Sequence, residues 1–184
     1  MGSLTFSTRI TLVRVALVPV LLALIVAEDH LEHAASLAAV VFLTASFTDF
    51  VDGYLARRWQ QVTALGSFLD TTADKLLVIG ALLGLEAVGT VNVWVVFVVI
   101  TREVAVLGLR AVAASSSVVI SASLWGKLKF NVQVVGITLA ILHPAASIGA
   151  LRVDEWAMLV VAVVSALSAV DYFARFGDLV KAER

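Results

Sequence analysis

Four aspartates pose the first chemical question. Asp49 and Asp52 stand three residues apart, and Asp70 and Asp74 stand four apart. On an α-helix, side chains at i and i+3 or i+4 share one face, so each pair presents two carboxylates to the same side. The segment reads DFVDGYLARRWQQVTALGSFLDTTADK over residues 49–75, with a short turn expected around Gln60 and Gln61. Two helices joined by such a turn run antiparallel, so both pairs fall at similar depth and four carboxylates can converge. Like charges this close repel unless something positive sits among them. A divalent cation with oxygen ligands answers that need. Mg2+ or Mn2+ comes before zinc, because the chain has no cysteine and no histidine lies near in sequence. A centre of this kind suits a phosphate-bearing substrate, whose oxygens a metal neutralises during displacement at phosphorus. For any one of these aspartates a salt bridge to Arg57, Arg58 or Lys75 is an equal reading. For all four together, with Gly53 and Gly66 between them, the ligand reading is the stronger one.

The elements that carry these residues are apolar. Of 184 residues, 61% are hydrophobic and 15% charged, with a mean hydropathy of +1.02. A soluble domain carries about 45–50% apolar and about 25% charged residues. This chain has too much apolar surface for one small water-soluble core. A soluble globular enzyme, a disulfide scaffold, a zinc-thiolate site and a disordered chain are therefore disfavoured. A net charge of −1 argues against a strongly basic nucleic-acid binder. What is left is an all-α integral membrane protein, in which each segment satisfies its own backbone.

A membrane-crossing helix needs about 20 mostly apolar residues. Six stretches meet that length, at about 10–27, 34–56, 66–86, 92–113, 127–147 and 155–176. They are read as one transmembrane catalytic domain over residues 1–184. Pro144 falls near the end of the fifth span, where a broken helix is tolerated. The first span imitates a signal peptide, with Arg9 and Arg14 ahead of its apolar run, but five further spans favour a retained helix. One set of span ends is rich in basic residues, among them Arg57, Arg58, Arg110, Lys127 and Lys129. The opposite ends hold Glu28, Asp29, Glu32, Glu86, Asp154 and Glu155, with Arg152 the one basic residue there. An even number of spans puts both termini on the basic side, and the positive-inside rule makes that side cytoplasmic.

The aspartate segment resembles a known family. D-x2-D-G-x2-A-R-x8-G-x3-D-x3-D is the signature of the CDP-alcohol phosphotransferases. Asp49, Asp52, Gly53, Ala56, Arg57, Gly66, Asp70 and Asp74 fill all eight of its positions with the correct gaps. The resemblance implies the family's fold of six transmembrane helices, a homodimer, and an active site opening to the cytoplasmic side of the cell membrane. It implies metal-dependent transfer of a phosphatidyl group from a CDP-linked lipid such as CDP-diacylglycerol to an alcohol, with release of CMP and with two Mg2+ or Mn2+ ions. Carried over position by position, Asp49, Asp52 and Asp70 look like the principal metal ligands. Asp74 looks like the base that takes the acceptor proton, and it also approaches a metal. Gly53, Ala56, Arg57 and Gly66, beside Asp49, look like the wall that binds the CDP-lipid.

The stretch 101–133, TREVAVLGLRAVAASSSVVISASLWGKLKFNVQ, is similar to the phosphatidylglycerophosphate synthase subgroup. Arg102, Glu103, Arg110, Lys127, Lys129 and Gln133 carry that similarity, together with Arg14 and Pro19 near the start. It implies sn-glycerol 3-phosphate as acceptor. Charge supports this independently, since an acceptor bearing its own phosphate needs cations, and Arg102, Arg110, Lys127 and Lys129 supply them. Their plainer reading is the positive-inside rule with snorkelling. Glu103 and Arg110, seven apart, are expected to share a helix face and to pair, with Arg102 facing away from that stripe. Thr71 and Phe130 depart from the subgroup pattern, and inositol phosphate or phosphatidylglycerol are the alternative acceptors.

The remaining features read as structural. His30 and His33 belong to a solvated acidic loop, Asp171 and Arg175 to an i,i+4 salt bridge, and Trp94, Trp125 and Trp156 to interfacial anchors. Two other functions were weighed. An intramembrane aspartyl protease needs one Asp pair rather than four carboxylates. A cation transporter needs acidic residues deep in the bilayer, whereas these lie toward one face beside Arg57.

Overall fold

The computed structural model describes the backbone of residues 6–58, 64–115 and 124–181, and the side chains of 11–48, 71–113, 125–126 and 128–176. Its elements run α1 (Phe6–Val26), α2 (Ala34–Arg58), α3 (Ala64–Ala87), α4 (Val93–Ser115), α5 (Leu124–Leu142), β1 (Ser147–Ile148), β2 (Leu151–Arg152) and α6 (Val153–Lys181). Each expected apolar stretch is a helix. The chain forms two compact units, residues 1–90 and 91–184.

In the first unit α1 packs on both α2 and α3. Thr11, Arg14, Leu21 and Ile25 form the buried stripe of α1, at the three- and four-residue steps of a helix face. The surfaces they meet are built from small residues. On α2, Ala34, Ala38 and Ala45 are buried, and on α3, Ala73, Gly80, Ala81 and Gly84. A Cβ placed on Gly80 would stand 2.6 Å from Cγ1 of Val18, and one on Gly84 would stand 3.2 Å from Cγ2 of Ile25. The two helices approach closely because these positions carry no side chain. α3 ends where Gly89 takes φ +76°, with Gly89 N–H bonded to Glu86 O and Thr90 N–H bonded to Leu85 O. That is the glycine-terminated helix end, in which the left-handed residue satisfies the last carbonyls.

In the second unit α6 packs on α4 and on α5. Its buried face is Asp154, Met158, Val161, Ser165, Ser168 and Tyr172, again in alternating steps of four and three. Gly136 of α5 admits Val161 and the Ala157 carbonyl of α6, which brings those two helices together. Asn92 starts α4 by accepting the Trp94 N–H through Oδ1 at 2.9 Å. Glu155 starts α6 by accepting the Arg152 N–H at 2.7 Å, one half of a capping box.

The fifth span differs from expectation. The helix stops at Leu142 instead of running to 147. His143 turns into the left-handed region (φ 43°), and Pro144 follows, which disfavours helical geometry in the residue before it. A two-residue hairpin comes next, with Ser147 opposite Arg152 and Ile148 opposite Leu151. Gly149 supplies the positive φ of its turn. Arg152 then grips Asp154 through both Nε (3.0 Å) and a terminal nitrogen (2.9 Å), which explains the one basic residue at this acidic end.

Surface and interior are chemically inverted. Val13, Val40, Phe47, Trp94, Val135 and Val170 are exposed, whereas Arg14, Arg102, Glu103, Lys129 and Gln133 are buried. Water would not tolerate that outer face over so much area, but lipid does. Among the described residues one helical stretch, Val153–Phe176, is long and apolar enough to cross a membrane, and Thr11–Val26, Ala34–Thr48 and Leu128–Leu142 are shorter apolar stretches.

The close α1–α3 approach generates a prediction. Gly80→Leu should destabilise the protein by about 1–3 kcal/mol through overpacking against Val18. Thermal unfolding in detergent reads the loss, and adding Val18→Ala should recover part of it.

Candidate active site

Asp49 and Asp52 lie on α2, and Asp70 and Asp74 on α3. The side chains of Asp49, Asp52 and Asp70 lie outside the described residues, as do those of Gly53, Ala56, Arg57, Gly66 and Lys127. Among the described residues no three histidines, aspartates or glutamates gather as a metal site. Asp74 is described. Its side chain is about one-third exposed, and its Oδ1 lies 4.0 Å from a terminal nitrogen of Arg14.

Arg14 is the feature of this unit that the sequence reading used only for orientation and resemblance. It sits in the middle of the buried stripe of α1, 2% exposed, and its Nε donates to the Ala45 carbonyl of α2 at 3.3 Å. One side chain therefore touches both other helices of the unit. A buried guanidinium needs a negative partner, because desolvation without one costs several kcal/mol. The Asp74 carboxylate meets that need from α3. The salt-bridge reading had named Arg57, Arg58 and Lys75 as partners for this carboxylate, whereas the cation found beside it comes from α1. Beside that resemblance, apolar context flags Arg14: it stands in TLVRVALVP, one charge in a run of hydrophobic residues.

The donor set suits a hard divalent cation. Asp49, Asp52, Asp70 and Asp74 offer carboxylate oxygens alone, with neither thiolate nor imidazole among them.

The second unit holds a different polar group. Glu103 is buried on α4, and both Lys129 of α5 and Arg102 of α4 pair with it, the latter at 3.4 Å. Arg102 also donates to Ser168 Oγ of α6 at 2.8 Å, and its guanidinium carbon lies 5.7 Å from the centre of the Tyr172 ring. Arg110 donates to the Tyr172 hydroxyl at 2.7 Å, with its guanidinium carbon 5.5 Å from the same ring centre. Two expectations are corrected here. Glu103 pairs with Arg102 and Lys129 rather than with Arg110, because seven residues span about 10 Å of helix axis and nearer partners exist. Arg102 does not face away, since its long side chain turns inward to α6.

Arg102, Arg110 and Lys129 are thus gathered in one unit around one carboxylate and one aromatic ring. Tyr172, Ser168 and Glu103 complete that group, and none of them was singled out as a site residue from sequence. Gln133, one turn from Lys129 on α5, is 1% exposed, and among the described residues neither polar atom of its amide has a hydrogen-bond partner. Ser165 of α6 is buried and its hydroxyl is likewise unpartnered. Each unmade bond of this kind costs about 1–3 kcal/mol.

The expected i,i+4 salt bridge of α6 forms. Asp171 accepts from Arg175 Nε at 2.7 Å as an i,i+4 pair. His33 and Glu32 lie 3.9 Å apart and are both highly exposed. Trp94, Trp125 and Trp156 are exposed near the starts of α4, α5 and α6.

Comparison with known proteins agrees with the aspartate signature. The sequence pattern of the CDP-alcohol phosphatidyltransferase family matches residues 4–168. A CDP-diacylglycerol–glycerol-3-phosphate 3-phosphatidyltransferase of Bacillus subtilis is 39% identical over 145 residues, covering 73% of this chain and 75% of that protein. A probable phosphatidylglycerophosphate synthase of Mycobacterium tuberculosis is 41% identical over 168 residues, covering 90% and 78%. A CDP-diacylglycerol–glycerol-3-phosphate 3-phosphatidyltransferase of Rickettsia typhi is 32% identical over 167 residues, covering 89% and 92%. With the pattern spanning most of its length, the chain belongs to the CDP-alcohol phosphatidyltransferase family.

Proposed function

We propose that this chain transfers the phosphatidyl group of CDP-diacylglycerol to sn-glycerol 3-phosphate, giving phosphatidylglycerophosphate and CMP in phospholipid synthesis. The observation that carries the reading is the eight-position aspartate signature, in a chain whose matched relatives are named for this reaction. The three cations gathered on α4 and α5 support an acceptor that brings its own phosphate.

Asp49, Asp52, Asp70 and Asp74 would hold two divalent ions, Mg2+ or Mn2+. When bound, such ions supply Lewis-acid neutralisation of the diphosphate oxygens. Asp74 takes the proton from the acceptor hydroxyl. The freed oxygen forms a bond to the β-phosphorus, and the bond from that phosphorus to the bridging oxygen of CMP breaks, so the electron pair leaves with CMP. Arg14 holds Asp74 from the α1 side and keeps its carboxylate oriented. Gly53, Ala56, Arg57 and Gly66 line the CDP-lipid. Arg102, Arg110, Lys127 and Lys129 bind the acceptor phosphate; of the described three, Arg110 is the one not paired to Glu103. The chain works as a single catalytic domain with six membrane-crossing helices, both termini and the active site on the cytoplasmic side, and as a homodimer. The apolar outer faces of α1 to α6 and the basic span ends support that topology.

Asp74→Asn should abolish CMP release in detergent with CDP-diacylglycerol, glycerol 3-phosphate and Mg2+, and retained turnover would remove Asp74 as the base. Stripping divalent ions with EDTA should stop the reaction, and restoring Mg2+ should recover it. Arg14→Met should lower turnover about tenfold or more and reduce the thermal midpoint, since it leaves Asp74 without its α1 partner. Offering glycerol 3-phosphate, inositol phosphate and phosphatidylglycerol side by side tests the acceptor. Turnover with glycerol 3-phosphate is expected, and a preference for either of the others would reassign the enzyme.

A further inference from the structure

Three cations of the second unit are gathered around one carboxylate and one aromatic ring, and their partners are of different kinds. Arg102 and Lys129 both pair with Glu103, so much of their charge is answered within the protein. Arg110 forms no ion pair among the described residues. Its partner is neutral: the Tyr172 hydroxyl accepts from a terminal nitrogen of its guanidinium at 2.7 Å, and the Tyr172 ring lies 5.5 Å from the guanidinium carbon. The Nε of Arg110 is buried and has no hydrogen-bond partner among the described residues. Tyr172 is itself 1% exposed and wedged with Val106, Leu109 and Phe176. A side chain so enclosed is close-packed, and whatever it holds is held firmly. The same ring lies 5.7 Å from the guanidinium carbon of Arg102, eight residues earlier on α4.

We propose that Tyr172 is a positioning residue for the acceptor: a neutral tether that fixes Arg110 while leaving the Arg110 charge unspent for an anion. A carboxylate in its place would orient the guanidinium equally well but would neutralise it. A bare aliphatic wall would leave the charge intact but the side chain free to sample many rotamers, whose loss is then charged against binding. A phenol does neither. Its hydroxyl fixes the direction of the guanidinium plane, its ring face favours a cation without cancelling it, and the guanidinium donors it does not use are left to bond a phosphate oxygen. The ligand class this favours is a small phosphomonoester. The inference rests on Arg110 binding the acceptor phosphate, and the test separates the two.

The test uses the full chain in detergent with CDP-diacylglycerol, glycerol 3-phosphate and Mg2+. Tyr172→Phe keeps the ring and removes the hydroxyl. It should raise KM for glycerol 3-phosphate about tenfold, the scale of one lost hydrogen bond to a charged group, with KM for CDP-diacylglycerol and the thermal midpoint unchanged. Arg110→Ala should raise the same KM by at least as much. The double variant should be no worse than Arg110→Ala alone, because without Arg110 the tether has nothing to hold. If Arg110→Ala raises the acceptor KM and Tyr172→Phe does not, the tether is wrong and the acceptor site stands. If Arg110→Ala leaves it unchanged, the acceptor site is wrong and the tether falls with it. If Tyr172→Phe raises both KM values together and lowers the thermal midpoint, the residue is merely structural and the proposal is overturned.

Discussion

Charge placed inside an apolar helical protein must be answered locally, and the rest of this structure follows from how that is done. Arg14 is answered by Asp74 and by a backbone carbonyl, Arg102 and Lys129 by Glu103, and Arg110 by a tyrosine. Arg14, Arg102, Glu103 and Lys129 are buried and have little water to fall back on. Each answer comes in part from another helix, so every buried charge also specifies which helices pack together and in what register. Arg14 ties α1 to α2 and α3. The Glu103 and Tyr172 pairs tie α4 to α5 and α6.

Packing in both units relies on the absence of side chains as much as on their presence. Where lipid surrounds a protein, apolar helices gain little from leaving it, and association depends on close contact and on polar bonds between helices. Gly80 and Gly84 let α3 approach α1, and Gly136 lets α5 approach α6. Close approach in turn brings short-range polar contacts within reach, including the 2.8 Å bond from Arg102 to Ser168. A polar side chain that finds no partner then stands out. Gln133 and the Ser165 hydroxyl are buried without one, in the unit that carries the cations.

The differing partners of the cations bear on function. A cation paired to a carboxylate is electrostatically settled, and an incoming anion must compete with an internal one. A cation held by a phenol is oriented and still charged. Arg110 belongs to the second kind, which is why the proposed acceptor site centres on it rather than on Arg102 or Lys129. Lys129 and Arg102 contribute a positive surround while Glu103 keeps them from repelling one another.

Much of this was legible in the chain alone. Apolar runs of about 20 residues specify helices in lipid, because no other local structure satisfies its own backbone, and the six helices fall where those runs lie. The aspartate spacings placed Asp49 with Asp52 and Asp70 with Asp74 on their respective helices, since helical periodicity is a local property. The fifth helix ends at Leu142 rather than near 147 because Pro144 terminates the helix instead of being carried within it, with His143 in the left-handed region. The pairings lay beyond the sequence altogether. That Arg14 meets Asp74 across 60 residues, that Glu103 chooses Arg102 and Lys129 over Arg110, and that Tyr172 receives two arginines are decided by which faces meet. Spacing along one helix states which side chains share a face. Only the packed helices state what that face touches, because a long cationic side chain takes the nearest partner in space.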